Sequence, residues 1–489
     1  MIDRRRFLQS MGAAAAMAAA PRFCAAGQSH GADWRLGWKS MDQDSLAPQT
    51  LKIQGKLPDA LRGVLFRNGP ARHERGGVRY RHWFDGDGMI QRFEVGDGRI
   101  VHNAQFVQTR KYQAESAAGR FLYSAAGTAL PNAEPSAHND TGNVANISVL
   151  PWDDELLALW EGGSAYRLNP DTLATIGRKD WRDDLVHMPF SAHPEVDRDG
   201  TLWNFGSAPY AGRNGLLFIY RIEPKVGVRA VERIALPVAS YLHSFAMSER
   251  YLMFHLGAHH YEPGGDTFVD AFQWQPERGS QILVIDKNDL SKQRYFEAPA
   301  AFTFHTANAY EHGDDLVLQL CLYKDAGIMD SAMVGLMDGG DTVPYPQFER
   351  SYMASIRMNL KTGVASTETS DTIMEFPSED VRASGAEADV FGVSHKAART
   401  LTYSNALVRW RPDGREAARY DFPADQMVEE PLLVAQKDQS FLIGTFLDLA
   451  ARQSGVYVFD ADRLDAGPLA TARMPRTIPL GFHGTFVPG

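Results

Sequence analysis

The sequence predicts an all-β fold, and within that class a β-propeller, on three observations. Short apolar strands recur at close spacing, turn residues separate them, and helical periodicity is weak. The strands include Leu216-Leu217-Phe218-Ile219-Tyr220, Tyr251-Leu252-Met253-Phe254, Ile282-Leu283-Val284-Ile285, Leu401-Thr402-Tyr403 and Val456-Tyr457-Val458-Phe459. Between such runs stand Asp199-Gly200, Gly264-Gly265, Gly313-Asp314-Asp315 and Asp413-Gly414. Gly supplies positive φ and Asp bonds its own backbone, so these pairs mark turns. Sandwiches and barrels share the pattern. Length selects the propeller, because four-stranded blades around an axis use 489 residues in one domain. No clean internal repeat is visible, so pattern alone does not give the blade number. A short helix is expected near Ala114 to Tyr123. The insertion 323–350, with Ile328, Met329, Met333, Val334, Leu336 and Met337, is expected as a loop on one face.

No Pro/Gly/Ser tract divides the chain, so residues 27–489 are expected to form a single propeller domain. Residues 1–26 read as a twin-arginine signal. Arg4-Arg5-Arg6-Phe7-Leu8 is followed by the apolar Gly12 to Ala20 and the small Ala25, Ala26 and Gly27. The expectation is export to the periplasm in a folded state, which suits a protein that acquires a metal first. Cys24 falls in that segment, and Cys321 alone remains, so no disulfide forms within the mature chain. Cys321 lies in an apolar run and is expected to be a buried thiol. Net charge is −10, with no basic run beyond the first residues. Phosphate binding needs clustered Lys and Arg, so nucleic acid is excluded as a partner.

Common chemical motifs are missing. There is no phosphate loop, no Gly-x-Gly-x-x-Gly, no His-Glu-x-x-His and no Gly-x-Ser-x-Gly. Asp85-Gly86-Asp87-Gly88 and Asp197-Arg198-Asp199-Gly200 lack the Glu that closes a calcium loop, with Gly96 and Ala208 at that place. They read as hairpin turns. Of 15 histidines, four sit among apolar or small residues: Ala192-His193-Pro194, Leu242-His243-Ser244, Phe304-His305-Thr306 and Phe482-His483-Gly484. Each alone fits a core histidine. A propeller, however, brings distant blades to one axis, where such residues can meet. Glu161, Glu375 and Glu430 have similarly apolar neighbours, with Glu429 adjacent as a competitor. A buried Glu needs a partner. The free N–H of a metal-bound imidazole is one, and unrelated salt bridges are the alternative.

Several segments, in order, carry a resemblance. They are Gly63-Val64-Leu65-Phe66-Arg67-Asn68-Gly69-Pro70, His82-Trp83-Phe84-Asp85-Gly86-Asp87-Gly88-Met89, Leu159-Trp160-Glu161-Gly162-Gly163, Ser191-Ala192-His193-Pro194 and Phe482-His483-Gly484. From about residue 45 onward the chain resembles the carotenoid cleavage oxygenase family. The resemblance implies a seven-bladed propeller with active-site loops and short helices on one face. It implies iron(II), without haem, held by His193, His243, His305 and His483. Glu161, Glu375 and Glu430 match the carboxylates behind those ligands. The implied reaction adds O2 across a conjugated C=C bond and yields two carbonyl products. Four imidazoles suit iron and leave two octahedral positions open. No protein acid or base is required.

Two positions depart from, or select within, the family pattern. Ile147 stands where the family often has Thr near the open iron position, which alters access of water or O2. Trp160 stands where cleavers of phenolic stilbenes and phenylpropenes carry a Lys for the phenol oxygen. A buried phenolate without a cation is costly. The expected substrate is therefore a carotenoid or apocarotenoid, an apolar polyene. The run Ile328 to Met337 is the candidate for peripheral membrane contact, against simple packing on the propeller face. Ile147 and Trp160 are the candidates for substrate or O2 access, while strand alternation can turn Phe304 and Trp160 away from the centre, so neither is given a firm role there. The alternatives are a stilbene or phenylpropene cleaver, a polyene isomerase, and an exported propeller that binds a ligand without turnover.

Overall fold

A computed structural model of the protein describes residues 33–339, 350–379, 385–395 and 403–489. The expected signal, residues 1–26 with Cys24, lies outside them, as do Leu401 and Thr402 of one expected strand. Trp34–Gly489 form one compact unit.

The unit is a seven-bladed β-propeller. Blade 3 shows how the sequence builds a blade. Glu195–Val196, Leu202–Ala208, Leu216–Glu223 and Gly227–Ala235 pair antiparallel in that order, from the axis outward. The Asp199-Gly200 turn joins the first two, closed by Asp197 N–H donating to Thr201 O at 2.8 Å. Leu217, Ile219 and Ile222 are buried. The same meander gives blade 2 from Ser148–Trp152 to Thr175–Arg178, and blade 4 from Ala246–Met247 to Asp289–Ala298. Blade 5 runs from Thr306–His312 to Ala365–Ile373, and blade 6 from Glu375–Ser378 to Glu416–Asp421.

Blades 1 and 7 close the ring with strands from both ends of the chain. In blade 1 the C-terminal Gly484–Pro488 pairs with Gly63–Arg72. In blade 7 the early strand Lys52–Gly55 pairs with Ala470–Arg473. The core lies in the seams between blades. Leu65, Phe93 and Phe106 of blade 1 pack against Ile443, Val456 and Val458 of blade 7, for example. Sheet-on-sheet packing of this kind buries one face of each blade against its neighbour.

Most expected strands and turns appear within a residue or two. Cys321 is buried, 3.7 Å from Met353 Sδ. Three local readings are corrected. The helix is Arg110–Ala118, begun by Thr109, which accepts from Tyr112 N–H, and ended by Gly119 at φ 65. Asp85-Gly86-Asp87-Gly88 is not a hairpin turn. A 3-10 turn, Trp83–Asp85, precedes the strand Asp87–Gly96. Asp85 accepts from Gly127 N–H and Thr128 Oγ, while Asp87 pairs with Lys111 and Arg75. The described part of 323–350 is helical rather than a loop, with a π-turn at Ile328–Ala332 and an α-helix at Met333–Asp338. Met329, Met333, Leu336 and Met337 point inward and are buried, as packing on the propeller face requires. Among the described residues no helix is long and apolar enough to cross a membrane.

Candidate metal centre

Each of the four histidines stands at the start of an innermost strand. His193 precedes Glu195–Val196, His243 precedes Ala246–Met247, His305 adjoins Thr306–His312 and His483 adjoins Gly484–Pro488. Innermost strands of different blades converge on the axis, so 290 residues of chain separate side chains that meet at one point. Their ligand atoms all lie within 4.8 Å of one another. His193 Nε2 is 2.9 Å from His243 Nε2, and His305 Nε2 is 3.1 Å from His483 Nε2.

The three glutamates stand directly behind. His243 Nδ1–H donates to Glu161 Oε2 at 2.9 Å, His305 Nδ1–H to Glu375 Oε2 at 2.5 Å and His483 Nδ1–H to Glu430 Oε1 at 2.7 Å. A carboxylate accepts only, so these contacts put the ring proton on Nδ1. The Nε2 lone pairs then face one another across the centre. His305 and His483, both so braced, meet at 3.1 Å with no proton between them. Burial, then the neighbouring imidazoles, holds His193 and His483 well below the ordinary histidine range. Burial also lowers His243, against the raising pull of Glu161. The three lone pairs so fixed, with the His193 ring beside them, repel unless a cation sits between them. The donor set therefore fits a divalent metal of imidazole preference, with the outer carboxylates offsetting its charge.

Glu429 and Glu430 are told apart by their partners. Glu430 also takes Gly484 N–H at 2.8 Å and Arg67 Nη1 at 2.5 Å. Glu429 turns to Thr445 Oγ1 at 2.6 Å and Gly481 N–H. Arg67 is 2% exposed, and its charge offsets the burial that raises the Glu430 carboxyl. Sequence reasoning missed Arg67, although it stands in one of the matching segments. It also missed Tyr241, whose hydroxyl donates to Glu161 Oε1 at 3.2 Å.

A cavity of about 340 Å³ reaches His243, His305 and His483. Its walls are largely apolar and include Phe84, Trp160, Tyr241, Phe304, Met333 and Phe482. Trp160, a candidate for substrate access, thus faces the cavity, and so does Phe304, which alternation could have turned away. Strand alternation ends at Leu159, and Phe304 precedes its strand, so the period-2 rule does not govern either. Trp160 packs on Gly162, where a Cβ would fall 2.7 Å from Cη2 of the indole. Ile147 also lines the cavity, its carbonyl accepting from His483 N–H at 3.1 Å.

The comparisons with known proteins cover the whole propeller. A family model described as retinal pigment epithelial membrane protein matches residues 39–488. The apocarotenoid-15,15'-oxygenase of Synechocystis is 26% identical over 480 residues, covering 93% of this chain and 96% of the relative. The isoeugenol monooxygenase of Pseudomonas putida is 26% identical, covering 89% and 93%. A crystal structure of a cobalt-substituted Synechocystis apocarotenoid oxygenase superposes with a TM-score of 0.82. At 24% identity it covers 94% of this chain and 98% of its own.

Proposed function

The chain belongs to the retinal pigment epithelial membrane protein family, the carotenoid oxygenases, and from that premise we propose that it is an iron(II) dioxygenase cleaving a conjugated C=C bond of a carotenoid or apocarotenoid with O2. One observation carries the reading: four histidines bring their ligand atoms to one point, three of them braced at Nδ1 by carboxylates. In this proposal His193, His243, His305 and His483 hold the metal. Bound iron(II) would supply the open positions at which O2 is activated. Glu161, Glu375 and Glu430 fix the rings and supply negative charge. Phe84, Phe304 and Phe482 form an apolar slot that orients the polyene and excludes water. Ile147 offers no hydrogen bond toward the open side.

The cavity volume supports a short substrate. About 340 Å³ lies near the low end of typical ligand pockets, roughly 300–1,000 Å³. An apocarotenoid fits that better than a full-length carotenoid. A phenylpropene fits too, and one similar relative is named for isoeugenol. Trp160 argues against it, since it offers no cation to a phenolate. Incubating iron-loaded protein with an apocarotenal, a hydroxystilbene and isoeugenol, under 18O2, separates the readings. Aldehyde fragments from the apocarotenal, labelled at the new carbonyls, are expected. Cleavage of the phenols alone overturns the polyene substrate, and isomers without O2 uptake overturn the oxygenase step. Protein that neither holds nor regains stoichiometric iron overturns the cofactor.

Export by the twin-arginine route into the periplasm belongs to the same proposal. It rests on Arg4-Arg5-Arg6-Phe7-Leu8 and the apolar run that follows. Cell fractionation with Arg5→Lys/Arg6→Lys tests it, and an unchanged location counts against it.

A further inference from the structure

Among the described residues one further cluster is of metal-ligand type: His138, Asp140 and His187, with ligand atoms within 4.8 Å of one another. The Asp140 oxygens are already spent. Asp140 is 2% exposed and each oxygen has two donors. Oδ1 accepts from Asn143 Nδ2 at 3.0 Å and Ser164 N–H at 2.7 Å. Oδ2 accepts from Ser164 Oγ at 2.8 Å and His187 Nδ1–H at 2.7 Å. Arg178 Nη1 adds a positive charge 3.6 Å from Oδ2. The His138 and His187 rings stack at 3.5 Å and 9°, so their lone pairs run in parallel planes instead of converging. The group is built as a brace.

What it braces is the turn Trp160-Glu161-Gly162-Gly163-Ser164. Asp140 takes the backbone N–H and the hydroxyl of Ser164, while Asn143 Nδ2 donates to Ser164 O at 2.7 Å. Every polar group of Ser164 is held. Gly163 is pressed so close that a Cβ would collide with Asp140 Oδ1, and Gly162 is pressed on the Trp160 indole. Glu161 differs from its two counterparts in the backbone that carries it, while the Tyr241 hydroxyl reaches its Oε1 at 3.2 Å. Glu375 begins a strand, and Glu430 has Arg67 and Gly484 N–H. Glu161 sits in a turn, its side chain 21% exposed against 13% and 9% for the others.

We propose that Asp140 is a positioning residue for Glu161 and Trp160, and through Glu161 for His243. The proposal rests on the metal-centre reading above. Losing the brace would loosen one ligand and one cavity wall together.

Asp140→Asn tests it, since it keeps the size but sets a donor against Ser164 or His187. Cobalt(II) affinity, read by chelator competition, is expected to fall about tenfold. In a Glu161→Gln background the same substitution should change affinity by less than about twofold. In a Glu375→Gln background the full tenfold should return. An equal loss in all three backgrounds means general destabilisation and overturns the proposal. Ser164→Ala, a milder variant, should shift affinity two- to threefold in the same direction, and no shift counts against the proposal. A readout free of metal comes from 15N-histidine NMR of the apo protein. The His243 Nδ1–H resonance should move in Asp140→Asn while those of His305 and His483 stay. Stationary His243 overturns the proposal whether or not the protein binds metal. No cobalt binding by the unsubstituted protein overturns the metal-centre reading instead, and the NMR comparison still decides Asp140. A second equivalent of cobalt that disappears in Asp140→Asn also overturns it, because the cluster would then be a site of its own.

Discussion

At the residue scale, Glu429 and Glu430 show how much a neighbour decides. The two carboxylates are adjacent in sequence, yet Glu430 reaches His483 and Glu429 reaches Thr445. The cause is a break in the inner strand of blade 7, between Gln426–Val428 and Leu432–Gln436. Glu430→Gln would turn a carboxylate oxygen into a donor and leave the buried Arg67 with Glu429 at 3.7 Å. Metal affinity is expected to fall about 10- to 100-fold. Glu429→Gln should instead lower the melting temperature and leave metal affinity within about threefold. Chelator competition and thermal melts check both, and the reverse ranking would make Glu429 the brace. Composition and the histidine contexts supplied candidates at this scale, and the resemblance made them one set. Phe304 takes no role from the sequence because alternation is applied to it, and alternation has no authority outside a strand. Asp140 escaped because nothing in its own segment hints at a partner beyond Leu159.

At the element scale, the cavity depends on loops pinned by buried polar groups. Asp85 ties the Trp83–Asp85 turn to Gly127 and Thr128, at 2.9 and 2.6 Å. Trp83, Phe84 and Ser124 to Ala126 all line the cavity, so this one carboxyl joins two of its walls. Burial pushes Asp85 up from 3.8 to about 6, against the lowering hydrogen bonds from Thr128 and Gly127. The fold therefore favours the protonated acid. Stability from this group is fully present below about pH 4 and is lost as pH rises through about 6. The span is roughly 3 kcal/mol. Asp85→Asn mimics the neutral acid and removes the titration. The melting temperature of the natural protein minus that of Asp85→Asn should fall between about pH 4 and pH 6, with half of the difference gone near pH 5. A flat difference would sink the assignment. The Asp-Gly pattern alone suggested a turn here. Only the partner loop, some 40 residues on, makes the aspartate a pin.

At the scale of the whole molecule, the strands were legible and the ring was not. A blade needs apolar residues on the faces it shows its neighbours, and many residues satisfy that, so no repeat survives in the sequence. Blade number came from the resemblance, and the closure came from the structure. Gly484–Pro488 is paired with Gly63–Arg67 through five residue pairs, and it follows His483 directly. Ring closure and the fourth histidine are thus one structural event. Truncation after Gly484 keeps all four histidines but removes four of those five pairs. Each lost backbone bond is worth about 1 kcal/mol, so about 4 kcal/mol is expected, or roughly 4 °C in melting temperature for a unit of this size. Metal affinity should fall as well, because His483 would hang from an unpaired end and Glu430 would lose part of its setting. If closure and ligation were independent, the truncated protein would melt early yet hold metal as before. Melting curves with and without cobalt distinguish the two. The metal should raise the melting temperature of the full chain and stabilise the truncated one far less, since ligand binding stabilises only a state in which the site is formed.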